Sequence, residues 1–310
     1  MKIPVIMMFN DNYVIPAAVA IYSMLKNANK RHKYDLRIMH TNITDVHQTK
    51  LSQLISEFKN ATITFYQTND IDKRFNIPDN IAGYPREIAY KFILADIFTD
   101  IERAIVTDVD VVFVGDISKE FIDFTTDEYF AGVKQAALPH DKPFSSDITD
   151  NNIHFMYGAG YMIYNTAAMR RDKMPQKYID FMHKNTQYLH FPDQEVLNIV
   201  SLPKIKVLHP RNMALVTWWR VNDFIFDKYD YNSSWQEHQK ALQNPIQIHY
   251  VCFTTWKKPW YDIHAPLANL WYRYLTYTNF FEEFYDNKQC TNLKIKKVHF
   301  WSKIYKKHRK

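Results

Sequence analysis

Glycine is scarce in this chain, five residues in 310, and the scarcity removes the commonest ways a fold grips phosphate. No G-x-G-x-x-G follows the first apolar run, and no Walker loop occurs. Cysteine is nearly absent too. Cys252 and Cys290 offer neither a metal-binding spacing nor a disulfide framework, so a reducing, cytoplasmic compartment is the simplest reading. No stretch approaches the roughly 20 apolar residues of a membrane span. The opening "MKIPVIMMFNDN" reads as a first buried strand rather than a signal peptide. Basic excess is missing from most of the chain. Eight of the 39 Lys and Arg lie between Lys294 and Lys310, where there is no Asp or Glu; the other 31 face 33 acidic residues, a net of −2. The body therefore has no global positive field to draw nucleic acid.

What is present is apolar and aromatic, 46% and 16% of residues, enough for one large α/β domain or a main domain with a smaller appendage. The first 70 residues alternate strand and helix. "VIMMF" is followed by the polar turn "NDNY", then a helix with Ala17, Ile21, Met24 and Leu25 on one face. "DLRIMHT" and "TITFYQT" read as further strands around a helix over residues 44–58, capped by Thr44 or Asp45. Such alternation predicts a mostly parallel sheet with helices on both faces, an antiparallel α+β domain being the alternative. Helices are further expected over 85–98, 167–184 and 193–200, and strands at "YFAGVKQ", "GAGYMIYN" and "IQIHYVC". There is no internal repeat and no flexible linker. A domain over residues 1–265 and a helical C-terminal region over 266–310 are the expected units.

The chemistry gathers at "AIVTDVDVVFVGDI", where Asp108 and Asp110 end a buried strand. An unpartnered charge is costly to bury, and sheets of this kind bind ligands beyond the carboxyl ends of their strands. Residues two apart on extended backbone point to the same side. Two oxygen ligands on one side suit a hard cation that also binds phosphate, a substitute for the missing glycine-rich loop. An isolated D-x-D more often caps a strand and begins a turn. The apolar lead-in and exit weigh against that here.

Five segments in order resemble glycosyltransferase family 8, the retaining GT-A enzymes, over most of residues 3–262. They are "FNDNYVIPAAVAIYSML", "AIVTDVDVVFVGDI", "YGAGYMIYN", "FPDQEVLN" and "IHYVCFTTWKKPW". The resemblance implies a Rossmann-like mixed, mostly parallel sheet flanked by helices, and Mn²⁺ (with Mg²⁺ the alternative) held by Asp108, Asp110 and His249. It implies a UDP-sugar donor whose nucleoside meets Asn10, Asp11, Asn12 and Tyr13. Lys258 would touch the diphosphate, Asp193 and Gln194 would reach the donor sugar with Gln194 near the anomeric carbon, and Lys91, Val109, Gly158 and Ala159 would complete the donor site. Taken singly, each has a plainer explanation: a buried histidine, a solvated lysine, a polar turn, a helix start at "PDQE". Three departures stand out. Gly158 replaces the family's usual Asn, Lys91 its usual Arg, and no glycine lies between Tyr250 and Lys258.

The tail "KIKKVHFWSKIYKKHRK" sets Ile295, Val298, Trp301 and Tyr305 at helical spacing, with Lys296, Lys303, Lys306 and Lys310 largely opposite. That pattern describes an interfacial helix on an anionic leaflet, a disordered basic tail or an RNA-binding segment being the alternatives. With the resemblance, it points to a hexosyltransferase moving galactose or glucose from a UDP-sugar to a membrane-associated glycan or glycolipid. Such an enzyme would be cytoplasmic and docked peripherally on the inner face of the cell membrane through residues 294–310. Trp218, Trp219 and Trp256 are candidate sugar platforms, or simply core. Two rivals stand beside it. A metal-dependent nucleotidyltransferase should carry a glycine-rich basic loop after the first strand, and "NDNYVIPAA" has none. A degenerate sugar-nucleotide-binding protein is kept open by Gly158 and Lys91, and opposed by Asp108, Asp110, Gln194 and His249.

Overall fold

The computed structural model describes residues 1–136, 155–216, 235–251 and 257–286. A seven-stranded sheet forms the centre. Its strands, in chain order, are β1 (Lys2–Met8), β2 (Lys33–His40), β3 (Ala61–Gln67), β6 (Arg103–Thr107), β8 (Phe130–Ala136), β9 (Phe155–Asn165) and β10 (Ile205–Leu208), between which come β4 (Asn80–Ile81), β5 (Tyr84–Pro85) and β7 (Val111–Phe113). The order across the sheet is β10-β8-β9-β6-β1-β2-β3. β6, β1, β2 and β3 run parallel, as do β8 and β10, and β9 is antiparallel to both neighbours. β1 is buried from Ile3 to Met8, which explains why it reads as an unbroken apolar run instead of an alternating one.

Helices cover both faces. α1 (Val14–Asn27) buries twelve residues in one core with α2 (Asp45–Ser56). α3 (Asn69–Phe75), α4 (Tyr90–Ile97), α6 (Thr166–Arg171), α7 (Met174–Asn185) and α8 (Pro192–Ser201) lie on the opposite core, and α5 (Ser118–Asp123) packs with α1. Thr44, not Asp45, caps α2: its Oγ1 accepts from the His47 N–H at 3.3 Å. The expected helix over 167–184 is two, broken where Lys173 takes a left-handed conformation (φ 54°). The expected helix over 85–98 begins as a 3-10 turn, Arg86–Ala89, before α4.

A second sheet of three strands carries the late motif: β11 (Ala214–Leu215), β12 (Gln247–His249) and β7. β7 is held to α1 by two bonds to Phe113. Its N–H donates to Ser23 Oγ at 2.9 Å and its carbonyl accepts from Asn27 Nδ2 at 3.0 Å. α9 (Trp235–Gln243) precedes β12, and α10 (Ala268–Leu275) and α11 (Phe281–Asp286) close the described chain. Trp271, Leu275 and Phe284 of these last helices are buried in the same core as α1. Among the described residues no helix is long and apolar enough to cross a membrane.

α8 is fixed against β9 by one side chain. The buried Asn198 amide donates to Tyr157 O at 3.0 Å and Gln194 O at 2.7 Å, and its Oδ1 accepts from Tyr157 N at 2.7 Å. Removing it deletes three hydrogen bonds to backbone groups, each worth roughly 0.5–1.5 kcal/mol. Asn198→Ala should lose about 3 kcal/mol of stability in chemical denaturation; a loss under about 0.5 kcal/mol, that of a neutral surface change, would show the clamp to be dispensable.

Candidate active site

Asp108, Val109 and Asp110 form the bend that joins β6 of the large sheet to β7 of the small one. The backbone here is not extended, yet both carboxylates converge, because β12 pairs antiparallel with β7 and sets His249 opposite Val111. His249 Nε2 lies 3.1 Å from Asp110 Oδ1 and 3.8 Å from Asp108 Oδ2. One ligand atom from each of the three residues falls within 4.8 Å of the others. Gly160 of β9 makes room for the imidazole: a Cβ there would lie 2.4 Å from His249 Nδ1. The Gly160 carbonyl accepts from Asp108 N at 3.2 Å, Thr107 Oγ1 at 3.0 Å and Gln247 Nε2 at 3.1 Å, tying both sheets at one point.

Two lysines hold the carboxylates. Lys91, 2% exposed, reaches Asp108 Oδ1 at 2.7 Å and Asp193 Oδ2 at 2.6 Å. Lys258 pairs with Asp110 Oδ2 and donates to Tyr250 O at 2.5 Å. Burial opposes the Lys91 ammonium, but Asp108 and Asp193 outweigh it and hold it above its ordinary range. Burial pushes the Asp108 carboxyl up; Lys91 opposes this and Asp110 adds to it. Burial also acts on Asp110, where Lys258 and then His249 prevail and keep the carboxyl well below the usual range.

The carboxylates and lysines line a cleft of about 500 Å³, and His249 is buried behind them. Of the residues expected at the site, Asn10, Tyr13, Lys91, Asp108, Val109, Asp110, Asp193, Gln194 and Lys258 line it, together with Glu87, Tyr84 and Phe191. Gly158 and Ala159 are buried strand residues two and one before Gly160, and they do not line the cleft. Asn12 is in the 3-10 turn after β1, its N–H donating to Asn10 Oδ1 at 3.2 Å. Asp11 is engaged elsewhere. Its Oδ1 accepts from Thr44 N at 3.1 Å and lies 2.7 Å from His47 Nδ1, while His47 Nε2 lies 3.0 Å from Glu283 Oε1. Tyr13 is braced edge-on by Trp260 at 5.9 Å, and Trp260 leads through Trp271 to Phe284. The "PDQE" helix start holds as well: Glu195 accepts from the backbone N–H groups of His190 and Phe191. Trp218, Trp219, Trp256 and the tail over residues 294–310 lie outside the described residues.

Gly160, Gln247, Thr107 and Glu87 were not legible as site residues. The one available signal was the scarcity of glycine, which makes the second glycine of "GAG" informative.

An Asp-Asp-His set of two oxygens and one nitrogen suits Mn²⁺ better than Mg²⁺. The space that Gly160 leaves for the ring keeps Nε2 turned to the carboxylates, so the residues present fit a divalent ion.

Comparison with known proteins identifies the family. Lipopolysaccharide 1,2-glucosyltransferase of Escherichia coli is 23% identical over 292 residues, 93% of this chain and 79% of that protein. A putative glycosyltransferase of Haemophilus influenzae is 22% identical over 264 residues, 84% of this chain and 75% of its own. The structure of galactosyltransferase LgtC in complex with donor and acceptor sugar analogs superposes with a TM-score of 0.70 at 15% identity, covering 89% of this chain and 96% of LgtC. The bifunctional glycosyltransferase WbbM gives 0.77 at 18% identity over 94% of this chain, which spans about half of WbbM, 52%. At these identities the structural likeness establishes the GT-A fold. The model of glycosyl transferase family 8 matches residues 4–264, and the chain therefore belongs to that family and is a glycosyltransferase.

Proposed function

We propose that this glycosyltransferase moves galactose or glucose, with retention, from a UDP-sugar to a hydroxyl of a membrane-associated glycan, and that it uses Mn²⁺. The observation that carries the proposal is the meeting of Asp108, Asp110 and His249, two of which line a cleft shared with Asn10, Tyr13, Asp193 and Gln194. Asp108, Asp110 and His249 would hold the ion, which when bound supplies a Lewis acid for the departing diphosphate. Lys258 adds a point charge for the same diphosphate once it leaves Asp110. Tyr13 offers a ring for the uracil, and its edge-on contact with Trp260 limits the tilt of that ring. Gln194, its backbone tied to Asn198 and its N–H donating to Asp193 Oδ1 at 3.0 Å, serves the reacting face of the sugar. Val109 contributes backbone and Asn12 its amide to the donor site, Gly158 and Ala159 support it from the buried strand that leads to Gly160, and Asp11 fixes the turn that carries Asn10, Asn12 and Tyr13.

The Escherichia coli relative is named for lipopolysaccharide, which supports a lipid-linked acceptor. The basic, aromatic segment 294–310 supports docking on the anionic inner face of the cell membrane. Residues 1–265 would form the catalytic domain and 266–310 the region leading to the membrane.

Three outcomes test this reading. Purified protein with Mn²⁺ should release UDP from UDP-galactose or UDP-glucose, and Asp110→Asn should cut the rate at least about 100-fold, since its charge is lost to the ion and to the developing negative charge. Release that is indifferent to Mn²⁺ and to Asp110→Asn would refute the metal site. Lys91→Met strands two partly buried carboxylates and should cost about 3 kcal/mol, the low end for breaking a buried pair; denaturation should show that loss without metal and a partial recovery with Mn²⁺. The wild type should sediment with phosphatidylglycerol vesicles and release as salt rises, whereas a variant with Lys296, Lys303, Lys306 and Lys310 changed to Gln should stay in solution.

A further inference from the structure

Glu87 stands apart from the charge balance described above. It is 5% exposed and lines the donor cleft, and it also lines a second, polar cavity of about 370 Å³ that opens beside it; Asn10 and Pro85 are shared by the two cavities in the same way. Among the described residues its carboxylate has one hydrogen bond, accepted by Oε1 from the Thr41 hydroxyl at 2.7 Å. Among the described residues no cation pairs with it. Lys91, one turn along, is committed to Asp108 and Asp193. Arg86, its neighbour in sequence, is committed to Asp72 and Asp79. A buried carboxylate with a single neutral partner is expensive, and its remaining acceptor capacity borders on open cavity.

Its place along the cleft identifies what would fill that capacity. Lys91 marks the metal end, and Asn10, shared with Glu87 by both cavities, leads to Tyr13. Glu87 is bonded to Thr41, the residue after β2, and shares both cavities with Asn10, two residues after β1. An ionised carboxylate only accepts hydrogen bonds, so the group that satisfies it must donate. A uridine nucleoside offers three donors: the two ribose hydroxyls and the N3–H of the base. Asn10 is less suited to take them all, because its Oδ1 already accepts from the Asn12 N–H.

We infer that Glu87 is a specificity-determining residue for the donor nucleotide, accepting a hydrogen bond from an O–H or N–H of its nucleoside; this rests on the uridine-nucleotide reading proposed above. Hydrogen bonds to charged groups are among the stronger ones, and loss of the donor leaves the carboxylate buried and unanswered. The residue thus rewards the correct nucleoside and penalises one without the donor, an asymmetry that contact area alone does not give.

The test is calorimetric titration in saturating Mn²⁺ of UDP and of 2′-deoxy-UDP, 3′-deoxy-UDP and 3-methyl-UDP, each of which lacks one donor. The wild type should bind UDP at least about tenfold more tightly than one of the three, and the analogue that fails names the donor. In Glu87→Gln and Glu87→Ala that ratio should fall to within about twofold while UDP itself weakens about tenfold. Gln keeps an acceptor for Thr41 and guards against a folding artefact. A purely structural Glu87 would weaken all four ligands alike and leave the ratio intact, and that result overturns the inference, as does a wild type indifferent to all three changes. Failure of the wild type to bind UDP at all overturns the uridine-nucleotide reading and takes this inference with it.

Discussion

Asp108, Asp110 and Asp193 crowd together in the cleft, each partly buried, and the surrounding architecture is arranged to make that tolerable. Two lysines and an imidazole reach them from three separate parts of the chain: α4, the segment after β12, and β12 itself. Like charges this close raise one another's free energy unless opposite charge lies within a few ångström. Lys91 is buried for that reason and stays charged for it. The net effect is a set of carboxylates held in place by charges from separate elements.

The sheet topology delivers these groups. A purely parallel sheet would end at β6 and give the chain no means of returning to its own carboxyl edge. Here the bend at Asp108–Asp110 hands the backbone to a second small sheet, and antiparallel pairing of β7 with β12 brings His249 back from far along the sequence. The reversed strand β9 then passes beside both, and its Gly160 carbonyl collects donors from each. Ser23 and Asn27 fasten the small sheet to the most buried helix of the fold. The geometry of the site is therefore inherited from the core, in keeping with the expectation that precise sites sit on rigid elements.

Much of this was legible in the sequence. The D-x-D at the end of an apolar run, the capped helix at Thr44, the "DQE" helix start and the late strand with His249 each rest on local pattern, and each is found where local pattern places it. The features that sequence did not yield depend on distant partners. Gly160 is decisive because of a ring some ninety positions later. Lys91 reads as an imperfect replacement for arginine until Asp193 is seen beside it. Nothing local says that Lys173 breaks a helix or that Asp11 faces away from the cleft, since both follow from packing. Glu87 carries no local mark of its burial, because burial of a polar residue leaves no periodic trace.

The last described helix touches the Asp11–Tyr13 turn by two routes at successive residues: Glu283 through His47 to Asp11, and Phe284 through Trp271 and Trp260 to Tyr13. The consequence is evolutionary. Positions some 270 residues apart cannot drift independently, since a change at Glu283 has to be answered at His47 before the turn can keep its shape. A lineage adapting its C-terminal end to a new surface or acceptor would be expected to leave compensating changes at residues 11, 47 and 260, and those correlated positions would record the history of that adaptation.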